Sequence, residues 1–500
     1  MSSSINMSTG LSRVEHNLTK HIRSITGGIN SIKITYIAYI ISLVSCLSAG
    51  SVTLISLFTE PWLEQYNYTP LQINLISSVI NMGGYLTPPL LGLLSDSHGP
   101  VLLSMISSFG FVPGYWYLSG ITPDNNHTIP FGLTLFCFFF IGCSTSALFF
   151  SALLSCSKFY SNSKLLCISL PTTFYGISSI WMGYIFTHVK WFYTYFDGEK
   201  GDILDLPKVF KFLSIFYMCI CLFDWISTSI VARLKNESVY KNTTAVAPIS
   251  VASSATIADE HQALLPEQEC SITDMGKSLS EFFRSSSTYL LFLTMFGSFG
   301  VLESYLSNMG AISNLYNNSH SKKVSAQETL TIFSGNSTSI RIIVGVLLDV
   351  LNRMFSKRGT STIKKNKSNR LITMSILWVL LMVGALSQYI FVIFGDDISS
   401  IALNLATACC GLAYGGLFTI FPSLVLNMWG QDIFGTCYGS FMVAPALGST
   451  LYGIMFAKIY ESTVGGGVGK ISCLFSNFII TGNTFTVCLI LSFVTYYWYL

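Results

Sequence analysis

Charge is what this sequence has least of. Only 10% of its 500 residues are Asp, Glu, Lys or Arg, against roughly 25% in a soluble globular protein. A deficit of that size excludes an ordinary water-soluble enzyme. The formal net charge is +3 with no basic stripe, which excludes a nucleic-acid binder. The 13 cysteines form no C-x-x-C and no Cys/His cluster with zinc spacing. Most lie inside apolar runs and read as small packing residues. A cleavable leader is not expected either. The first 35 residues are polar, with Arg13, Lys20, Arg23 and Lys33 and no apolar core, so the first apolar run is expected to do the targeting. No G-x-x-x-x-G-K-[ST] occurs, so ATP is not expected to drive the protein, and no cofactor or metal is expected. No pair of Asp and no His cluster sits at one depth, so an intramembrane enzyme is not expected either.

What remains is apolar. Hydrophobic residues make up 51% of the chain, and mean hydropathy is +0.56. A helix crossing the hydrocarbon core needs about 20 mostly apolar residues. Twelve such runs occur, at 36–58, 71–94, 101–121, 131–154, 165–187, 209–231, 289–311, 329–351, 371–394, 399–426, 434–457 and 478–500. With the N-terminus in the cytosol, Lys and Arg in the connections number 18 on that side and 8 on the other. The connection 352–370 alone carries seven. The excess of positive charge places both termini in the cytosol.

The longest polar stretch, 232–288, is rich in Ser, Thr, Ala and Glu and reads as a disordered cytosolic linker. A short amphipathic piece near Met275–Phe283 could lie on the membrane surface. The expected organisation is a tail over 1–35, a six-helix bundle over 36–231, the linker, and a second six-helix bundle over 289–500. The halves echo each other. Gly92-Leu-Leu-Ser-Asp96 ends the second run, and Gly345-Val-Leu-Leu-Asp349 ends the eighth, 253 residues later. Two six-helix repeats about an axis along the membrane normal describe an all-α, twelve-span transporter architecture.

Gly92-x-x-x-Asp96-x-x-Gly99-Pro100 is the first motif with chemistry. A Gly at a helix crossing allows close backbone approach. An Asp at a helix end can pair with a neighbouring helix and lock one conformation, as a gate requires. The gate candidates are therefore Gly92, Asp96, Gly99, Gly345 and Asp349; the bland alternative is a turn with a solvated Asp. Arg341 lies mid-span in the eighth run, where an Arg costs roughly 2.5–3.5 kcal/mol. It needs a partner or a watery cavity, either as an anion site or as a structural Arg bonded to carbonyls. Asp224 and Glu303, in the sixth and seventh runs, are the other intramembrane candidates. Each could carry a proton along a substrate path or reach a membrane interface. Pro88 and Pro89 break a helix rich in small residues, which suits a moving bundle. Tyr175, Trp181, Tyr414 and Tyr438 could line a cavity or pack in the core.

The linker holds Glu260-His-Gln-Ala-Leu264-Leu265. An acid, three spacers and two leucines on an exposed strand match an acidic dileucine sorting signal, read by an adaptor that buries the leucine pair. The sequons at Asn126 and Asn317 fall on the non-cytosolic side, where glycosylation is possible.

Several blocks are long and distinctive: "VEHNLTKHIRS" (14–24), "LTPPLLGLLSDSHGP" (86–100), "FIGCSTSALFFSALLSCSKFY" (140–160), "KLLCISLPTTFYGISS" (164–179) and "GGLFTIFPSLVLNMWGQDIFGTCYGSF" (415–441). On these the chain resembles fungal transporters of the monocarboxylate permease homologue group, in the nodulin-like branch of the major facilitator superfamily. The resemblance implies a secondary-active transporter of the vacuolar membrane, with the plasma membrane as the alternative location. Its expected partners are the lipid bilayer, a small-molecule substrate and a sorting adaptor. The resemblance names no substrate. Monocarboxylate carriers proper have an acidic-Gly signature in the first helix, and 36–50 contains no acid. They also pair the eighth-helix Arg with an Asp one turn earlier and follow it with Pro. Here those positions are Ser337 and Ile342, so a plasma-membrane monocarboxylate/proton symporter is not expected. A transporter-derived sensor or scaffold without flux is the other reading.

Overall fold

The computed structural model describes residues 14–15, 17–22, 24–26, 30–50, 54–68, 70–122, 130–160, 163–194, 203–246, 276–319, 323–324, 326–356, 362–464 and 470–499. Helices stand on all twelve apolar runs. The first half holds α1 (Ser31–Ser48), α2 (Ile55–Glu64), α3 (Pro70–Leu86), α4 (Pro88–His98), α5 (Val101–Ser119), α6 (Phe131–Phe159), α7 (Leu170–His188) and α8 (Leu206–Val246). The second holds α9 (Ser286–Ser319), α10 (Ala326–Ser356), α11 (Thr362–Phe394), α12 (Ser400–Trp429), α13 (Phe434–Phe441), α14 (Val443–Val464) and α15 (Phe475–Tyr499). Strands β1 (Tyr193–Thr194) and β2 (Ile203–Leu204) pair antiparallel between α7 and α8.

Among the described residues, ten helical stretches are long and apolar enough to cross a membrane. The first and second runs are divided instead. The first is shared between α1 and α2. The second breaks at Thr87, where Pro88 and Pro89 offer no N–H; there Leu90 and Leu91 donate to the Thr87 carbonyl. The expected edges of the linker are helical: α8 continues past residue 231 to Val246, and residues 276–284 form a short helix. That short helix packs inward. Phe282 is buried against Trp429 and Phe441, at 5.0 and 5.9 Å between ring centres, while Phe283 stays exposed.

The outside of the bundle is apolar, as lipid demands: Leu90, Phe109, Ile393 and Ile401 are 71, 78, 72 and 79% exposed. Lipid gives helices no hydrophobic reason to associate, so close packing of small residues and interhelical bonds must hold them. At the α3–α6 crossing a Cβ on Gly83 would strike the Phe139 carbonyl, and one on Gly142 would strike the Ile80 carbonyl. Buried hydroxyls satisfy themselves on carbonyls one turn back, as Thr145 does on Ile141 and Ser423 on Thr419.

Packing repeats between the halves. α5 lies along α8 in the first, and α11 along α15 in the second. α3 crosses α6, and α10 crosses α12. Rings fill both first-named seams: Phe111 on Tyr217 at 3.9 Å, and Trp378 on Phe493 at 4.1 Å. The N-terminal tail is partly docked. Ile22 is buried with Ile34, Ala38 and Ile230, and Arg233 donates to the Thr26 carbonyl.

Candidate functional site

Two carboxylates join the halves at one end of the bundle. Asp96, in the last turn of α4, accepts bonds from Gly435 N (3.1 Å), Thr436 N (2.6 Å) and Thr436 Oγ1 (2.9 Å). These are the unsatisfied donors at the start of α13, so Asp96 caps a helix of the other half and sits at its positive pole. Asp349, in the last turns of α10, accepts from Ser163 Oγ (2.5 Å), Lys164 N (2.6 Å) and Leu165 N (3.3 Å). It caps the segment that opens α7. The two ties are equivalent: the end of the repeated Gly-x-x-x-Asp helix in one half caps a helix start in the other.

The motif glycines make these contacts possible. A Cβ on Gly92 would land on the Gly435 carbonyl, and one on Gly345 on the Ser169 side chain. Gly99 has φ +89° and ends α4. Gln431 adds a bond to the Ser157 carbonyl at 3.0 Å across the same seam. This end is closed.

A second set of cross-half contacts lies at mid-bundle. α7 is preceded by one turn of π-helix, Leu165–Ser169, a local widening often found at functional positions. Ser169 donates to the Arg341 carbonyl, and the Arg341 guanidinium donates to the Thr172 carbonyl at 2.5 Å. Arg341 is 4% exposed, its Cζ lies 5.3 Å from the Phe418 ring centre, and its Nε has no hydrogen-bond partner. Glu303 on α9 accepts from Tyr85 of α3 and Tyr414 of α12, both at 2.8 Å. Tyr175 and Tyr438 also neighbour Arg341. They pack on Phe149 and Phe150 of α6, at 4.6 and 5.7 Å. The Tyr438 hydroxyl is buried without a partner.

The structure thus gathers Glu303, Arg341, Tyr175, Tyr414 and Tyr438 near the seam between the halves. Asp224 is not among them. It is fully buried inside the first half, where Ser151 of α6 donates to one carboxyl oxygen at 2.5 Å and Ser45 of α1 neighbours the carboxylate. Trp181 is also elsewhere, donating to the Leu47 carbonyl. Asn317 uses its carboxamide both ways on Val324, at 2.8 and 2.9 Å. Glu260, Leu264, Leu265 and Asn126 lie outside the described residues. Among the described residues no group of three His, Cys, Asp or Glu is placed to hold a metal. Sequence reasoning missed Tyr85, Ser163, Thr436 and Phe418. Only Ser163 had a readable signal, a polar residue just before an apolar helical run.

The family model described as Major Facilitator Superfamily matches residues 41–453. The chain belongs to the major facilitator superfamily. It is similar over nearly its whole length to "Probable transporter MCH1" of Saccharomyces cerevisiae, 35% identical over 97% of this chain and 98% of the relative. The protein of the same name from Eremothecium gossypii is 36% identical over 90% of each. Solved major facilitator structures share the fold. The proton:xylose symporter XylE aligns with a TM-score of 0.58 at 10% identity, covering 92% of this chain and 94% of that one. The transporter FucP, solved in the outward conformation, aligns at 0.54 and 16% identity, covering 92% and 98%. The chain is therefore a multi-pass membrane protein of a transporter superfamily.

Proposed function

We propose that this protein is a secondary-active transporter carrying a small solute across the vacuolar membrane by alternating access. Its two six-helix halves would rock about the Arg341–Glu303 region. One observation carries the reading: Asp96 and Asp349 make equivalent caps across the seam at a single end of the bundle. Contacts of this kind hold one end shut and must break for that end to open. The Lys/Arg asymmetry of the connections makes the shut end cytosolic, with both termini on that side. Arg341 would face an anionic group of the solute, and a gradient would supply the drive. The vacuolar location rests on the family resemblance and on the Glu260–Leu265 motif. The test is flux of solutes into proteoliposomes holding the full chain, guided by metabolite profiling of vacuoles with and without the protein. Absence of flux for every solute so identified would leave a sensor or scaffold in its place.

A further inference from the structure

We infer that Tyr39 is a positioning residue of the transport cycle: its hydroxyl holds the π-turn before α7, and that turn keeps the Asp349 gate and Arg341 engaged by one helix face; this rests on the transport reading above. The backbone bonding of the turn shows why it needs a side chain. In an uninterrupted α-helix the Leu166 carbonyl would accept from Leu170 N, four residues on. Here Leu170 N donates to the Leu165 carbonyl instead. The next donor in line would be residue 171, which is Pro and has no N–H. Tyr39 of α1 supplies the missing donor, its hydroxyl bonding the Leu166 carbonyl at 2.7 Å. Tyr39 is 5% exposed and its ring stands edge-on to Tyr160 at 4.8 Å between centres, so the hydroxyl is fixed in place. A buried carbonyl without a donor is destabilising. Without the Tyr39 hydroxyl, the α-helical pairing of Leu170 with Leu166 becomes the better arrangement.

The turn matters because α10 is bonded to the chain on both sides of it. On the N-terminal side, Lys164 N and Leu165 N donate to Asp349. On the C-terminal side, Ser169 donates to the Arg341 carbonyl, and the Thr172 carbonyl accepts from the Arg341 guanidinium. Between these contacts a Cβ on Gly345 would strike Ser169 and lie 3.1 Å from Leu165. Asp349 and Arg341 sit on one continuous helix, α10, so their own spacing is fixed. One residue turns an α-helix by about 100°. Relaxing the π-turn to α-helix therefore swings one side of it by about that angle against the other. Lys164 and Leu165 can then face Asp349, or Ser169 and Thr172 can face Arg341, but not both. Tyr39 has a single hydroxyl proton and gives it to Leu166, so it acts on Asp349 and Arg341 through the turn. Opening the gate and freeing Arg341 from Thr172 become one event.

The test uses the full chain in lipid nanodiscs and needs no solute. Tyr39→Phe removes only the hydroxyl. Hydrogen exchange resolved to single amides reports Lys164 and Leu165, the donors to Asp349. Maleimide labelling of Cys437, buried in the closed structure, reports the gate. Both rates should rise about two- to tenfold, the worth of one net hydrogen bond, while amides of Ser144–Ser155 in α6 exchange as in the parent. Deleting Cys167 turns the bond from Leu170 to Leu165 into an ordinary α-helical one and removes the alternative register. In that chain Tyr39→Phe should change either rate by less than twofold. A change below twofold at either reporter in the undeleted chain overturns the inference. So does equal acceleration across α6, which marks general loosening, and so does an undiminished effect in the chain lacking Cys167. Counterflow in proteoliposomes is scored separately. Flux without a Tyr39 effect leaves the transport reading standing and removes this inference; a Tyr39 effect without flux of any solute removes the transport reading and with it the part of Tyr39 in a cycle.

Discussion

Removing the Asp96 cap should open the closed end by a measurable factor. Asp96→Ala deletes the acceptor for two backbone donors and one hydroxyl of the opposite half. With the end open those donors meet water, so the loss is a net one and far below the vacuum strength of three bonds. A helix N-cap is worth about 0.5–2 kcal/mol, and one further hydroxyl bond about 1 kcal/mol. Together they bias the closed state by roughly 1.5–3 kcal/mol, or about 10–150-fold at 1.4 kcal/mol per decade. Cys437 provides the readout. It adjoins Thr436 and is 0% exposed in the closed structure. Its rate of maleimide labelling, followed by peptide-resolved mass spectrometry, should rise by tens of fold in Asp96→Ala. Asp96→Asn keeps one carbonyl acceptor and should show a smaller rise, with transport impaired at unchanged abundance and location. A labelling rate within twofold of the parent, in a variant that melts normally, would refute the gate.

Other expectations follow from the same contacts. Gly92→Leu places a side chain on the Gly435 carbonyl; it should raise Cys437 labelling and cut transport at least tenfold with the protein still inserted. Arg341→Lys keeps the charge but loses the planar fork, and initial flux should fall at least tenfold. Asp224→Asn retains an oxygen for Ser151, so flux should stay within about twofold of the parent; a large loss would bring Asp224 back into the transport path. Leu264→Ala with Leu265→Ala should move a fluorescent fusion off the vacuolar membrane, and unchanged residence would discard the sorting signal.

The helices were readable because lipid forces each spanning segment to be apolar and internally bonded, a demand that marks the sequence for some twenty residues at a time. The two Gly-x-x-x-Asp ends were readable because they recur at equivalent places. Their partners were not. Thr436 meets Asp96 across 340 positions and Tyr85 meets Glu303 across 218, and nothing local in either sequence marks such a meeting. Asp224 shows a further limit. A run of apolar residues gives the depth of a charge but not the side of the helix it faces. Depth set Asp224 in the inner third and Glu303 in the outer third of their runs and left both readings open for each, whereas the structure turns Asp224 toward Ser151 and Glu303 toward Tyr85 and Tyr414. The π-turn before α7 also escaped notice, since Leu-Leu-Cys-Ile-Ser reads as ordinary helix; it is the contact with Arg341 that gives it significance.

Spin-label distances taken at both ends of the bundle test the rocking motion most directly. One pair, Ser97→Cys with Asp432→Cys, spans the closed end; the other, Asn67→Cys with Asn314→Cys, spans the opposite end, and all four positions are exposed. The account predicts that the first distance lengthens as the second shortens, and that adding Asp96→Ala moves both populations together. Two fixed distances, indifferent to that substitution, would contradict it.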